Sequence, residues 1–302
     1  MSALSTSTGE RYKEASSNFK LEMERRGLAW DTMEEEEQDW TLAEYLVEQS
    51  QADEPRQRPW ALCLVSALQK IAPGRRLKTS WKVVDAWAIK NPSTQALPCP
   101  QEVALACGVW LVVNGRAAEG TALVLCFCGL LRISEALSLS LRDVFFLTEG
   151  FRPVCILLLS KTKRGREQRV VLVNEGVILW VKSMIKLRSF VKASKDEKLL
   201  PTTYKRVSAD FKRACKAFGL SPVWTSHSLR RGGATQLLIN QWPIENIMEF
   251  GRWASVTSAK LYLRRGEVAL LRCRGDVSEE LEQRLAVVSS IGARVFRLAS
   301  II

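Results

Sequence analysis

His227-Ser228-Leu229-Arg230-Arg231-Gly232-Gly233-Ala234, followed by Gly251-Arg252-Trp253 and then Tyr262, decides how this chain is read. His227 is the single histidine among 302 residues. On a helix, residues three apart share a face, so His227 can exchange a proton where Arg230 clamps an anion. Tyr262, one of four tyrosines, supplies a candidate nucleophile. A lone histidine is usually structural. Here the arginine at +3 and the Gly-Gly-Ala sequel, which permits close helix packing, argue for chemistry instead.

Two stretches upstream extend the pattern. Gly129-Leu130-Leu131-Arg132-Ile133-Ser134-Glu135-Ala136-Leu137 carries an arginine able to hold a phosphate bidentately. Glu135, three residues on, can orient it from the same face. By itself that stretch also fits an ordinary helix start with an Arg/Glu surface pair. Next, Val154–Leu159 and Arg169–Val173 are short aliphatic runs around a polar segment that holds Ser160-Lys161-Thr162-Lys163. That is a β-hairpin signal with lysines at its tip. His227 lies 26 residues before Trp253, and Trp253 lies nine before Tyr262.

These four stretches, in this order, resemble the tyrosine recombinase (phage integrase) family, which includes Cre and the Xer proteins; the resemblance covers about Pro100 to Gly266. Both downstream spacings resemble Cre without a gap, and Ile244–Met248 is similar to the helix that precedes Cre's glycine. The resemblance implies a mainly α fold with a small β-sheet or hairpin, arranged as a two-domain clamp on double-stranded DNA. It implies Arg132 and Arg230 as phosphate clamps, Glu135 as support, and Lys161 as general acid with Lys163 in reserve. His227 becomes a proton-transfer or positioning group, Trp253 a ring that shields the phosphate, and Tyr262 the nucleophile. The implied reaction is DNA strand cleavage and rejoining through a 3′-phosphotyrosyl link, with no metal, ATP or other cofactor. Family members assemble as tetramers on paired DNA sites, commonly by donating a C-terminal helix, and many belong to mobile elements.

Charge agrees with a polyanionic partner. Residues 1–56 hold 14 acidic and 6 basic side chains, which leaves 38 basic against 18 acidic over 57–302. A body of that sign draws phosphates and releases their counterions. No basic amphipathic anchor, lipidation motif or apolar run long enough for a bilayer points to a membrane. The start of the chain lacks the apolar region of a secretory signal. Eight cysteines without a CxxC pair, and a single histidine, speak against a zinc site and for reduced thiols. The expected location is intracellular: nuclear in a eukaryote, cytoplasm or nucleoid in a bacterium.

The expected organisation is an acidic flexible arm, or a loosely held helix, over 1–38, a helical core-binding-like domain over 39–90, and a proline-rich linker over 91–100. A catalytic domain follows over 101–275, then a C-terminal helical segment over 276–302. In that last segment Leu281, Leu285, Val288 and Ile291 form an apolar stripe, suited either to a neighbouring protomer or to the chain's own core. Two other functions share the pocket. A type IB topoisomerase normally has a larger clamp than this length allows. An idle, domesticated DNA-binding protein would be expected to have lost the tyrosine or an arginine, and all three are present.

Overall fold

The computed structural model describes residues 6–52, 57–90, 96–150, 152–159, 168–260, 279–281 and 283–288. The chain divides into two compact units, Met1–Gln95 and Ala96–Ile302. Among the described residues no helix is long and apolar enough to cross a membrane.

Unit 1 contains α1 (Thr6–Arg25), α2 (Glu35–Gln51), α3 (Arg58–Ile71) and α4 (Lys78–Lys90). Apolar residues recur at three- and four-residue spacing, as in Leu42, Tyr45 and Leu46 of α2 and Ala61, Leu64, Val65 and Leu68 of α3. Those faces meet in a core with Phe19, Met23, Trp30, Val84 and Trp87. The expected flexible arm is therefore corrected over 6–38. Phe19 and Met23, four residues apart on α1, are each 1% exposed, and the Phe19 ring meets Trp30 edge-on at 4.7 Å. The acidic run is no tail either: Glu35–Glu37 form the first turn of α2, where negative charge suits the unpaired N–H groups.

One buried acid locks α2 to α4. Asp39 Oδ2 accepts the Thr79 N–H at 2.7 Å, and Oδ1 accepts the Ser80 N–H at 2.8 Å and its hydroxyl at 2.7 Å. Those donors belong to the first turn of α4, which has no intrahelical acceptors for them. Burial pushes the Asp39 carboxyl up, but the donors outweigh it and hold it below its usual range.

Unit 2 is built on α5 (Gln101–Val113) and α6 (Ala117–Cys128), apolar on nearly every side and buried accordingly. Short α7 (Ile133–Ser138) leads to an antiparallel sheet of β1 (Val144–Glu149), β2 (Arg152–Leu159) and β3 (Gln168–Leu172), in that order. Cys155 pairs with Phe146 and Leu172, and Leu157 with Val144 and Val170. Alternation then sends Cys155, Leu157, Val170 and Leu172 into the core. The hairpin expected from sequence is present as β2 and β3. The third strand, β1, is not among the expected elements; its residues from Phe145 onward are exposed.

Helices α8 (Glu175–Phe190), α9 (Tyr204–Ala217), α10 (Ser226–Ile239), α11 (Ile244–Gly251) and α12 (Val256–Lys260) follow. Asn174 caps α8 by accepting the Val177 N–H, and Thr203 caps α9 by accepting that of Arg206. Of the expected linker, 91–95 lie outside the described residues, and 96–100 are corrected. Pro98, Cys99 and Pro100 are buried, and the Cys99 N–H donates to the Ser228 carbonyl at 2.9 Å. Further on, residues 279–281 and 283–288 are helical; Leu285 is buried in the core of its own unit, with Leu281 and Val288 packed against it. Ile291 lies outside the described residues.

Helix α10 crosses α6 so closely that only glycine fits at the contact. A Cβ at Gly233 would lie 2.0 Å from the Phe127 carbonyl oxygen and 2.7 Å from Leu130 Cδ2. Gly233→Ala is expected to destabilise the protein by at least ~2 kcal/mol through overpacking, measured by urea unfolding. Phe19→Ala should cost about 3–5 kcal/mol by leaving a cavity in unit 1. A flexible arm would instead give no change.

Candidate active site

The site is assembled around the turn between α6 and α7. Leu130 takes a left-handed backbone, φ 46°, which a leucine adopts only under constraint from its surroundings. The constraint is visible. Its side chain is fully buried in a small cluster with Ala234, Ile247, Trp253 and Ala259. Turned this way, the Leu130 carbonyl receives hydrogen bonds from Arg230 Nη1 and, at 3.2 Å, from Arg252 Nη2.

Glu135 is the second anchor. Its Oε1 accepts from Arg132 Nη1 at 2.5 Å, and its Oε2 accepts from the Arg132 N–H and from Arg252 Nη2, each at 2.7 Å. Arg230 Nη1 stands 3.9 Å from the same Oε2. One carboxylate thus faces three guanidiniums. Burial pushes the Glu135 carboxyl up. The charge of Arg252, followed by the amide and guanidinium of Arg132, outweighs burial and holds it below the ordinary range.

The three arginines differ in access. The Arg132 side chain is 46% exposed and free to meet an incoming anion, whereas that of Arg252 is 7% exposed. Burial, and then the Arg132 charge, lower the affinity of Arg252 for its proton. Arg230 is buried: Nη2 donates to the Gly251 carbonyl at 2.5 Å, and the guanidinium carbon stacks 4.8 Å from the Trp253 ring centroid. Its charge reaches the site through a medium that screens poorly.

Trp253 owes its place to the end of α11. Arg252 closes that helix in a left-handed conformation, φ 58°, and the Trp253 N–H donates back to the Met248 carbonyl at 3.0 Å. The indole then folds over Gly251, where any Cβ would collide with it at 2.0 Å.

The structure therefore brings together Arg132, Glu135, Arg230 and Trp253 of the residues expected from sequence. His227 shares α10 with Arg230 but is exposed in the first turn, where Arg230 one turn later is buried. Thr225 and Ser228 close that turn, the Thr225 N–H donating to Ser228 Oγ at 3.0 Å. Lys161, Lys163 and Tyr262 lie outside the described residues. Sequence reasoning missed Arg252 and the Leu130 carbonyl. No spacing rule links position 135 to position 252, and a left-handed leucine leaves no mark in sequence.

Solved structures share this fold, three of them as follows. A lambda integrase dimer bound to a COC′ core site superposes with TM-score 0.54 at 17% identity, covering 86% of this chain and 72% of that one. The 75–356 fragment of lambda integrase on the same site gives 0.53 at 16%, covering 86% and 89%. The XerH site-specific recombinase, in a post-cleavage complex on a palindromic difH substrate, gives 0.54 at 17%, covering 81% and 73%. At such identities the likeness concerns the fold. Comparison with curated protein sequences gives no match. Residues 113–267, a little over half of the chain and including every site residue named above, match the model of the phage integrase family, so the chain belongs to that family, the tyrosine recombinases.

Proposed function

We propose that this protein cleaves and rejoins DNA strands through a covalent link between Tyr262 and a 3′ phosphate. Family and fold imply site-specific DNA recombination. The observation that carries the finer reading is the arginine cluster on Glu135, with Arg132 held in place yet still open to solvent. An exposed guanidinium backed by two buried ones is a preformed seat for one phosphodiester.

In this reading the Tyr262 hydroxyl attacks phosphorus, and the bond to the bridging 5′ oxygen breaks. Lys161, with Lys163 as its substitute, delivers the proton that the leaving 5′ oxygen needs. A free tyrosine hydroxyl, pKa about 10, is a weak nucleophile, so its proton must be drawn off or its anion stabilised. His227 accepts or orients that proton. Negative charge gathers on the non-bridging oxygens, where Arg132 binds directly. Arg230 contributes through its field, or directly once its Nη groups exchange a main-chain carbonyl for the phosphate. Trp253 holds Arg230 from the opposite face. The link conserves the ester's energy, so the 5′ hydroxyl of a second strand can reverse the step without ATP.

Unit 1 would close around the duplex as the second half of a clamp, four copies would assemble on paired sites, and the gene would derive from a mobile element. Its basic body, outside residues 1–56, supplies the phosphate contacts. A second reading, DNA binding without cleavage, has one observation in its favour: the two terminal groups of Arg230 are engaged by main-chain carbonyls.

Incubation with a nicked duplex whose short 5′ fragment diffuses away should trap a protein–DNA adduct visible in denaturing gels. Tyr262→Phe should abolish it, and an adduct formed by that variant would mean another nucleophile. Arg132→Ala should slow adduct formation by roughly 100-fold or more while the protein stays folded. Duplex binding should weaken steeply with salt, about tenfold or more between 50 and 200 mM, measured by fluorescence anisotropy.

A further inference from the structure

We propose that Arg252 is a positioning residue for strand cleavage: it keeps Glu135 paired from below, so that Arg132 can turn to the phosphate without stranding a buried carboxylate. The proposal deepens the reading above and rests on it for the identity of the anion.

The division of Glu135 between its partners carries the inference. Arg132 reaches Oε1 from the solvent side, and Arg252 reaches Oε2 from the protein side. An incoming phosphate competes with Glu135 for Arg132. Without Arg252, that competition would leave a mostly buried carboxylate with Arg230, at 3.9 Å, as its remaining cation and no charged hydrogen bond, which is costly. Arg252 removes the difficulty because it is itself buried and stays behind.

Its chemistry suits a fixed partner. Nη2 serves Glu135 and the Leu130 carbonyl together, while Nη1 donates to the Phe250 carbonyl at 3.3 Å. A planar fork serves these acceptors from two nitrogens held in fixed geometry, whereas a lysine would have to reach all of them from one. By holding the Leu130 carbonyl, Arg252 also fixes the acceptor that Arg230 uses. The left-handed backbone at Arg252, unfavourable for a side chain of this size, fits a residue retained for its guanidinium.

The groups facing Glu135 are Arg132 on its own helix, Arg252 at the end of α11, Arg230 of α10, and the Cys126 thiol of α6. Burial pushes that thiol up to about 12, so it stays neutral. The charge of Arg252 is the largest single influence that lowers the Glu135 carboxyl, followed by the amide and guanidinium of Arg132. Without it, burial is opposed less strongly and the carboxyl titrates higher. Arg132 then loses its charged support as pH falls.

The test uses the full chain labelled with 13C at glutamate carboxyls, with Glu135→Gln identifying the Glu135 signal. Arg252→Met should move the Glu135 titration upward, and Arg252→Lys should lie between that variant and the parent. Adduct formation on the nicked duplex by Arg252→Met should fall below that of the parent, and the loss should deepen as pH falls through the variant's own Glu135 titration. In a Glu135→Gln background, Arg252→Met should cost far less than it does alone. Should Arg252→Met fail to fold, Arg252→Gly supplies a neutral variant that suits the left-handed backbone. An unmoved Glu135 titration in a folded neutral variant overturns the proposal, as does a loss of adduct whose pH dependence does not follow the Glu135 titration. If the parent chain forms no adduct, the cleavage reading fails while the titration still decides the role of Arg252.

Discussion

One carboxylate among three guanidiniums is the constraint on which the rest of this site depends. Arg132, Arg230 and Arg252 come from three separate elements, and like charges at such distances repel in a medium that screens poorly. Glu135 alone does not neutralise them. The left-handed Leu130 adds a main-chain dipole, and the Gly251 carbonyl and the Trp253 ring serve Arg230. The cluster keeps an excess of positive charge, with the Arg230 and Arg252 side chains buried and Arg132 open to solvent. A phosphate is the natural group to complete it.

The strain and desolvation stored there are sustained by packing elsewhere. Helices α5 and α6 give unit 2 a core apolar on nearly all sides, and Gly233 lets α10 sit directly on α6 beside the Leu130 turn. Two non-glycine residues with positive φ, Leu130 and Arg252, meet at the site through a single hydrogen bond. Their carbonyl and guanidinium explain why the backbone is bent at both places. Arg132, the exposed member of the cluster, then stands on a base of buried, hydrogen-bonded side chains.

Much of this was legible in the sequence, because helical spacing is short-range. Arg132 with Glu135, and His227 with Arg230, are each one turn apart, and the aliphatic runs at 154–159 and 169–172 announced β2 and β3. What was hidden depends on tertiary contact. Arg252 reads as a filler between Gly251 and Trp253 until Glu135 is brought beside it. The prolines at 98 and 100 look like a linker, yet Cys99 between them is bonded to Ser228. Helix α1 buries Phe19 and Met23 from a background of Ser, Glu and Lys whose composition resembles a solvated arm. Composition reports what a segment can do alone; the partner decides what it does.

The most direct measurement is the structure of the full chain on a DNA duplex. One backbone phosphate should accept hydrogen bonds from Arg132, with Glu135 still held by Arg252 and the Tyr262 hydroxyl facing the phosphorus. A duplex bound across some other face, with Arg132 still closed on Glu135 and the arginine cluster empty, would contradict the account.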